Sequence, residues 1–363
     1  MRFMNRRERL ASCYSNEETD RPAVYSRTGF PRDDPTYDRL KAYLQAHTEL
    51  KMGWSGAEPT AYDTESYVEP YSEDYERHVT VLHTPKGDLR CSRRISLKGL
   101  PGLAETFYLK GPEDVEKYMS LPMPGYGEVD RSSFDQVREE VADAGIVNVS
   151  LGVSPGGFVA TLFGTKNFAK MSITHRDLLH ELCERQMDIV MERLDLLLEE
   201  DIGPFFAMSG EEYIVPPIHG PRDFRDFIVR YEKPIFDRLH RAGGHVHVHC
   251  HGSIKKVFQG FLDIGVDVLH PFEAPPMGDI TPAEAKELSR DRICLEGNIQ
   301  INRMYEAPPA EIALETERLI ETVFNDRKGL IVCPTASPYV RGEGEEAFPR
   351  YKAMIDTVLN WEG

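Results

Sequence analysis

The sequence predicts an eight-stranded βα (TIM) barrel, an α/β fold, on three observations. Strand-like and helix-like segments alternate from about residue 146 onward, the pattern of a parallel sheet joined by crossover helices. The strands expected there, with two less clear ones upstream, suit a closed barrel, and no Gly-x-Gly-x-x-Gly follows the first strand as an open dinucleotide-binding sheet would require. The third observation is the run from His245 to His251, in which four histidines alternate with Val246, Val248 and Cys250. Period two means a strand with imidazoles on one face and apolar groups on the other.

Taken in order, residues 1–75 are irregular and rich in Arg, Asp, Tyr and Pro, with one helix expected over Asp38–Met52. They are read as an arm packing on the barrel, and residues 76–363 as a single catalytic barrel unit. His78 to Ser96 reads as an inserted β-hairpin turning at Pro85-Lys86-Gly87-Asp88. Strands are then expected at Ile146–Val153, Pro204–Ser209, His245–His251, Val266–Phe272, Ile293–Ile299 and Leu330–Pro334. Helical patterns at Asp177–Glu200, Arg222–Ala242, Pro282–Arg290 and Glu311–Phe324 separate them. Thr281-Pro282-Ala283-Glu284 supplies a capping box with Pro in the first turn.

Charge narrows the function classes. The 363 residues carry 43 Lys plus Arg against 60 Asp plus Glu, a formal charge of −17. Nucleic acid and anionic membrane surfaces are excluded as expected partners, because phosphate binding needs a basic field. A small-molecule substrate is expected instead. Met1 to Glu8 is followed by polar residues, no apolar run approaches a bilayer span, and the six cysteines lack paired spacing. These features read as a reduced, cytoplasmic protein. The oligomeric state is left open, with a homodimer among the options.

In a barrel, His249 and His251 lie nearest the C-terminal mouth, where barrel chemistry sits, and Cys250 faces the helical layer as a structural residue. His245 and His247, deeper, read as core histidines with satisfied hydrogen bonds. Two further strand ends offer ligands: Glu273, fixed by the prolines of Phe272-Glu273-Ala274-Pro275-Pro276, and Cys333. His-x-His, Glu and Cys form a borderline-soft set suited to Zn²⁺. Against this, Glu273 could cap its loop and Cys333 could be a small apolar filler. Glu211 and Glu212 follow the Pro204–Ser209 strand and offer a general base, or are simply loop acids. Asn298 could orient a substrate by amide hydrogen bonds, and Tyr339 and Arg341 border the same mouth.

Several segments together resemble the uroporphyrinogen decarboxylase superfamily, over roughly residues 100 to 360. They are Gly210-Glu211-Glu212-Tyr213-Ile214-Val215-Pro216-Pro217, Gly220-Pro221-Arg222-Asp223-Phe224, the His-Cys-His-Gly strand, Gly278-Asp279 and Glu296-Gly297-Asn298-Ile299-Gln300. The resemblance is closest to the cobalamin-dependent methyltransferase-like branch. It implies a βα barrel in which zinc, held by a His-x-Cys pair and a later Cys, activates a thiol toward a methyl group on cobalamin carried by a corrinoid protein. Cobalamin-independent methionine synthase has a similar order of His-x-Cys, Glu and Cys. Carried onto this chain, His249, His251 and Cys333 would hold zinc, with Glu273 a fourth ligand or a supporting acid. Glu273, Glu212 and Asn298 would be the catalytic group.

The chain departs from that branch where His251 stands in the place of Cys, and where the late Cys corresponds either to Cys333 or to Ala336. Imidazole in place of thiolate leaves the metal less electron-rich, which makes a bound thiolate less nucleophilic and bound water more plausible. The true decarboxylases resemble one another in an Arg-x-x-Gly-Arg segment, and only Arg27-Thr28-Gly29-Phe30-Pro31-Arg32 remains of it. Arg27 and Arg32 could still bind a substrate carboxylate through charge-assisted forks. The alternatives are therefore a metal-independent decarboxylase of a porphyrinogen-like or other carboxylate, in which histidines deliver protons, and a tetrapyrrole-binding protein without turnover.

Overall fold

The structure, a computed structural model, describes residues 3–98 and 102–362. Eight parallel strands form one curled sheet in the order β1, β12, β11, β10, β9, β8, β7, β2. These are Ala23–Val24 (β1), Leu50–Trp54 (β2), Gly145–Val153 (β7), Phe205–Ser209 (β8), His245–His249 (β9), Val268–His270 (β10), Cys294–Ile299 (β11) and Leu330–Pro334 (β12). Between the outer strands β1 and β2, Glu49 N–H donates to the Val24 carbonyl at 3.0 Å. The Glu49 carboxylate accepts from Val24 N–H at 2.7 Å. The sheet thereby curls into the eight-stranded barrel that the alternation predicts.

The N-terminal residues depart from the expected arm, since they supply two of the barrel strands. The expected helix over Asp38–Met52 ends at His47, and Leu50–Trp54 is β2. The strands were hard to read because β1 spans two residues and β2 follows the helix after two. Upstream, the helix Arg6–Tyr14, capped reciprocally by Asn5 and Glu8, buries Leu10, Cys13 and Tyr14 among barrel-lining residues such as Ala23, Ile146, Phe205 and Val268. It plugs the end of the barrel opposite the mouth.

The expected hairpin is present and is larger than expected. Thr64–Pro70 (β3), Tyr75–Leu82 (β4), Leu89–Ser96 (β5) and Leu103–Thr106 (β6) make a four-stranded antiparallel sheet inserted between β2 and β7. The helices of the barrel follow the sequence pattern closely: Arg176–Glu199, Pro282–Ser289 with its Thr281–Glu284 capping box, and Pro309–Val323. Their inner faces pack on the outward side chains of the strands. Val246, Val248 and Cys250 lie in that outer core, fully buried, on the side that the histidine alternation predicts.

Candidate active site at the barrel mouth

The inward residues of β9, β10, β11 and β12 stack in layers. Register pairs His247 with Val268, His249 with His270, and Asn298 with Cys333. The deep layer is ionic. Glu296 is fully buried with Lys51 of β2 on its Oε2 oxygen, and His247 Nε2 stands 3.5 Å from the same oxygen. Burial alone would raise the Glu296 carboxyl, but Lys51 and His247 outweigh it and hold it well below the usual range. Burial also keeps His247 and His270 uncharged. Among the described residues, His247, His270 and Glu296 are the group whose potential metal-binding atoms all lie within 4.8 Å of one another. Lys51 already balances the charge there. An ammonium and a divalent ion on one buried carboxylate would repel strongly, by about 8 kcal/mol for a 4 Å separation at an effective dielectric of 20.

The mouth layer has a different logic, set by which ring nitrogens carry protons. His270 Nε2 faces the Pro334 carbonyl at 3.2 Å, and a carbonyl only accepts, so Nε2 bears the hydrogen. His270 is neutral, so its Nδ1 is a lone pair. That lone pair meets His249 Nδ1 at 2.8 Å, which calls for a donor, whereas Arg27 Nη1, which only donates, stands 3.0 Å from the same nitrogen and calls for an acceptor. With Arg27 moved off and Nδ1 donating to His270, His249 keeps its Nε2 lone pair available. Burial and the neighbouring His270 and Arg27 keep His249 uncharged.

His251 is fixed the same way. Its Nδ1 lies 3.1 Å from Glu273 Oε2, and that oxygen also accepts from Gly252 N–H at 3.2 Å. The carboxylate orients the ring, as acidic partners of metal-ligating histidines do, and Nε2 is again the free nitrogen. The rings of His249 and His251 stand perpendicular with centroids 4.7 Å apart. The mouth therefore offers two imidazole lone pairs with their tautomers set from behind, a donor chemistry that fits zinc.

The remaining expected residues divide. Glu273 is buried behind His251, a supporting position. Cys333 is fully buried, and its thiol donates to the Pro334 carbonyl at 3.2 Å. Burial, reinforced by Glu296, pushes that thiol well up, so it is not a ready thiolate. Arg27 Nη1 lies 3.0 Å from His249 Nδ1, where two donors compete, and among the described residues no carboxylate pairs with it. Glu212 Oε2 accepts from Gly210 N–H at 3.1 Å. Burial raises its carboxyl, opposed by that bond and by His251. Asn298 and Gln300 line a cavity of about 790 Å³ with the loop Ala274–Met277. The Arg341 guanidinium donates to the Arg32 carbonyl at 2.9 Å. Tyr339 is 61% exposed and edge-on to Tyr305.

Sequence reasoning missed His270, Lys51 and Glu296. The period-two rule that oriented the histidine strand would have turned His270 and Glu296 inward too. Sequence reasoning named Glu211 as a base or loop acid, but the residue is no surface acid: Glu211 and Glu232 are fully buried and their four carboxyl oxygens lack hydrogen-bond partners. Burial raises both carboxyls well above the usual range, and Glu232 raises Glu211 further. The folded chain thus keeps protons that the unfolded chain releases near pH 4.3, so this pair stabilises at low pH and its contribution is lost as pH rises. Glu232→Gln is expected to flatten the fall of Tm from pH 5 to pH 8. A variant whose Tm falls as steeply as the parent's would show that the pair does not hold those protons.

The fold and the mouth define a βα-barrel protein whose polar chemistry sits at the C-terminal ends of its strands. The family model "Uroporphyrinogen decarboxylase (URO-D)" matches residues 103–337, and the chain belongs to that family. Among solved structures, a methyltransferase from Methanosarcina mazei shares the fold with TM-score 0.62 at 14% identity, covering 97% of this chain and 98% of that one. The YdhT protein from Bacillus subtilis aligns with TM-score 0.40 at 8% identity over 96% and 91% of the two chains. A 3-keto-D-glucoside 4-epimerase from E. coli aligns with TM-score 0.36 at 12% identity over 62% and 94%. Likeness at the level of these last two carries no argument. No curated protein sequence matches the chain significantly.

Proposed function

We propose that the chain is a methyltransferase in which zinc is held at the barrel mouth by His249 and His251, and in which a corrinoid protein carries the methyl group to or from a small molecule. The observation that carries this reading is the pair of rings backed on their Nδ1 side, His249 by His270 and His251 by Glu273, which leaves both Nε2 atoms as ligands once Arg27 has left His249. Family membership and the full-length fold likeness to a methyltransferase support it. Bound there, zinc would lower the pKa of a thiol and so supply a nucleophile near neutral pH.

The chain's own residues would do the rest. Arg27, with no carboxylate partner among the described residues, would leave its contact with His249 for an anionic group of the substrate. Glu212, whose carboxyl burial raises, would accept a proton from the substrate. Asn298, in register with Cys333 on the neighbouring strand, would orient the substrate by amide hydrogen bonds. Cys333 stands outside the zinc set in this reading.

The test uses free methylcobalamin and 2-mercaptoethanol with the zinc-loaded protein. The expected result is loss of the methylcobalamin spectrum with formation of the methyl thioether, slowed roughly 100-fold by His249→Ala, a magnitude typical of losing one metal-supporting group. Equal rates in the parent and His249→Ala, or no demethylation at all, would sink the proposal. Carbon dioxide release from a porphyrinogen would select the decarboxylase in its place.

A further inference from the structure

The inserted antiparallel sheet leaves a second cavity, of about 890 Å³, between itself and the helix Pro155–Thr174. Neither the histidine layers nor the proposed chemistry uses it. Its walls are aromatic, with Phe107, Tyr108, Phe158 and Tyr213 among the lining residues. The packing is built for rings. Gly164 lies at φ +68°, and a Cβ there would fall 2.2 Å from the Phe107 ring, so only glycine lets that ring lie against the helix. The backbone seals the wall as well, with Leu109 N–H donating to the Leu162 carbonyl at 2.9 Å.

One cation faces this cavity. Arg93 is among its lining residues and, among the described residues, no carboxylate pairs with it. Its cross-strand neighbour His78 is held by Glu76, and the arginines of the sheet's other face are all paired: Arg77 with Glu69 and Glu105, Arg90 with Glu69, and Arg94 with Glu105. In a chain of net charge −17, leaving one arginine without an acid on a sheet that pairs the others points to an anionic ligand. The ladder between β5 and β6 shifts register between Ser92 and Arg93, the kind of irregularity that re-aims a side chain. The volume falls within the range of small-molecule sites, which are mostly apolar with a few placed polar groups.

We infer that this cavity is a binding site for a flat aromatic carboxylate, its ring system against Tyr108 and Phe158 and its carboxylate on Arg93. Tyr213, which directly follows Glu212, is also among its lining residues. The inference rests on the cavity alone and stands whether or not the mouth holds zinc.

The experiment is calorimetric titration of the purified full chain, without added metal, with 2-naphthoate and with the neutral isostere 2-naphthol. The expected result is that 2-naphthoate binds, that Arg93→Met weakens it roughly 10-fold or more because a charge-assisted pair is lost, and that 2-naphthol is unaffected by that change. Arg27→Met should leave 2-naphthoate binding intact, which separates this cavity from the mouth. No binding at millimolar ligand, equal affinity in Arg93→Met, or loss on Arg27→Met instead would each overturn the inference. Arg93 is exposed, so the variant folds, and an unchanged Tm verifies it.

Discussion

Replacing Lys51 by methionine is expected to destabilise the chain by about 3–5 kcal/mol, the cost of stranding a buried charge, and to lower Tm by roughly 4–7 °C. Lys51 and Glu296 are 2% and 1% exposed at their side chains, so water cannot replace the lost partner. Beyond its contact with Glu296, the ammonium lies over the rings of Tyr14 and Tyr25 at 5.3 and 5.1 Å, and the variant loses those contacts too. The variant should also acquire a pH signature. His247 Nε2, 3.5 Å from the stranded carboxylate, becomes its remaining nearby partner. Protonated His247 would then have a folded-state pKa above its unfolded value. Its compensation is present below about pH 6.5 and lost as pH rises. The double variant Lys51→Met with Glu296→Leu removes both charges and should recover most of the stability. Urea unfolding of the three proteins at pH 6 and pH 8 decides it. A Lys51→Met protein within 1 kcal/mol of the parent would show that the ionic layer does not carry the barrel interior.

The second large effect is on zinc. In the proposed reading His249 and His251 are ligands and Glu273 acts from behind, so His251→Ala should abolish stoichiometric zinc binding, whereas Glu273→Gln should weaken it roughly 10–100-fold. Glutamine still presents an oxygen to His251 Nδ1 but carries no charge, so the ring stays oriented while its basicity falls. Cys333→Ala, at a thiol that donates to the Pro334 carbonyl, should leave zinc affinity unchanged. Competition of the purified proteins against a chromophoric chelator measures all three. Weakening by Cys333→Ala equal to that by His251→Ala would return Cys333 to the ligand set.

What the sequence made legible follows from periodicity. Alternation in His245 to His251 set which residues face inward, and it placed Cys250 in the helical layer despite its position between two histidines. The rigid loop after β10 put Glu273 at the same rim as His251, and the structure brings the two within 3.1 Å. Periodicity fails where elements are short. β1 has two residues and β2 follows a helix closely, so Lys51 read as helical and the ionic layer was hidden. His270 was passed over as a single histidine before a proline, although it determines which nitrogen His249 offers. The acid pair Glu211 and Glu232 joins a loop to a helix, a tertiary contact that no local pattern announces. The Arg341 guanidinium bonded to the Arg32 carbonyl and Tyr339 edge-on to Tyr305 are tertiary contacts that sequence position does not announce.

The central claim is that the mouth presents imidazole nitrogens, and no sulfur, to zinc. X-ray absorption at the zinc edge of the protein loaded with one equivalent of zinc, with no thiol present, tests it most directly. The account predicts nitrogen and oxygen neighbours at about 2.0–2.1 Å with the outer-shell pattern of two imidazoles. A sulfur neighbour at about 2.3 Å, which in the absence of added thiol could come only from the protein, would contradict it.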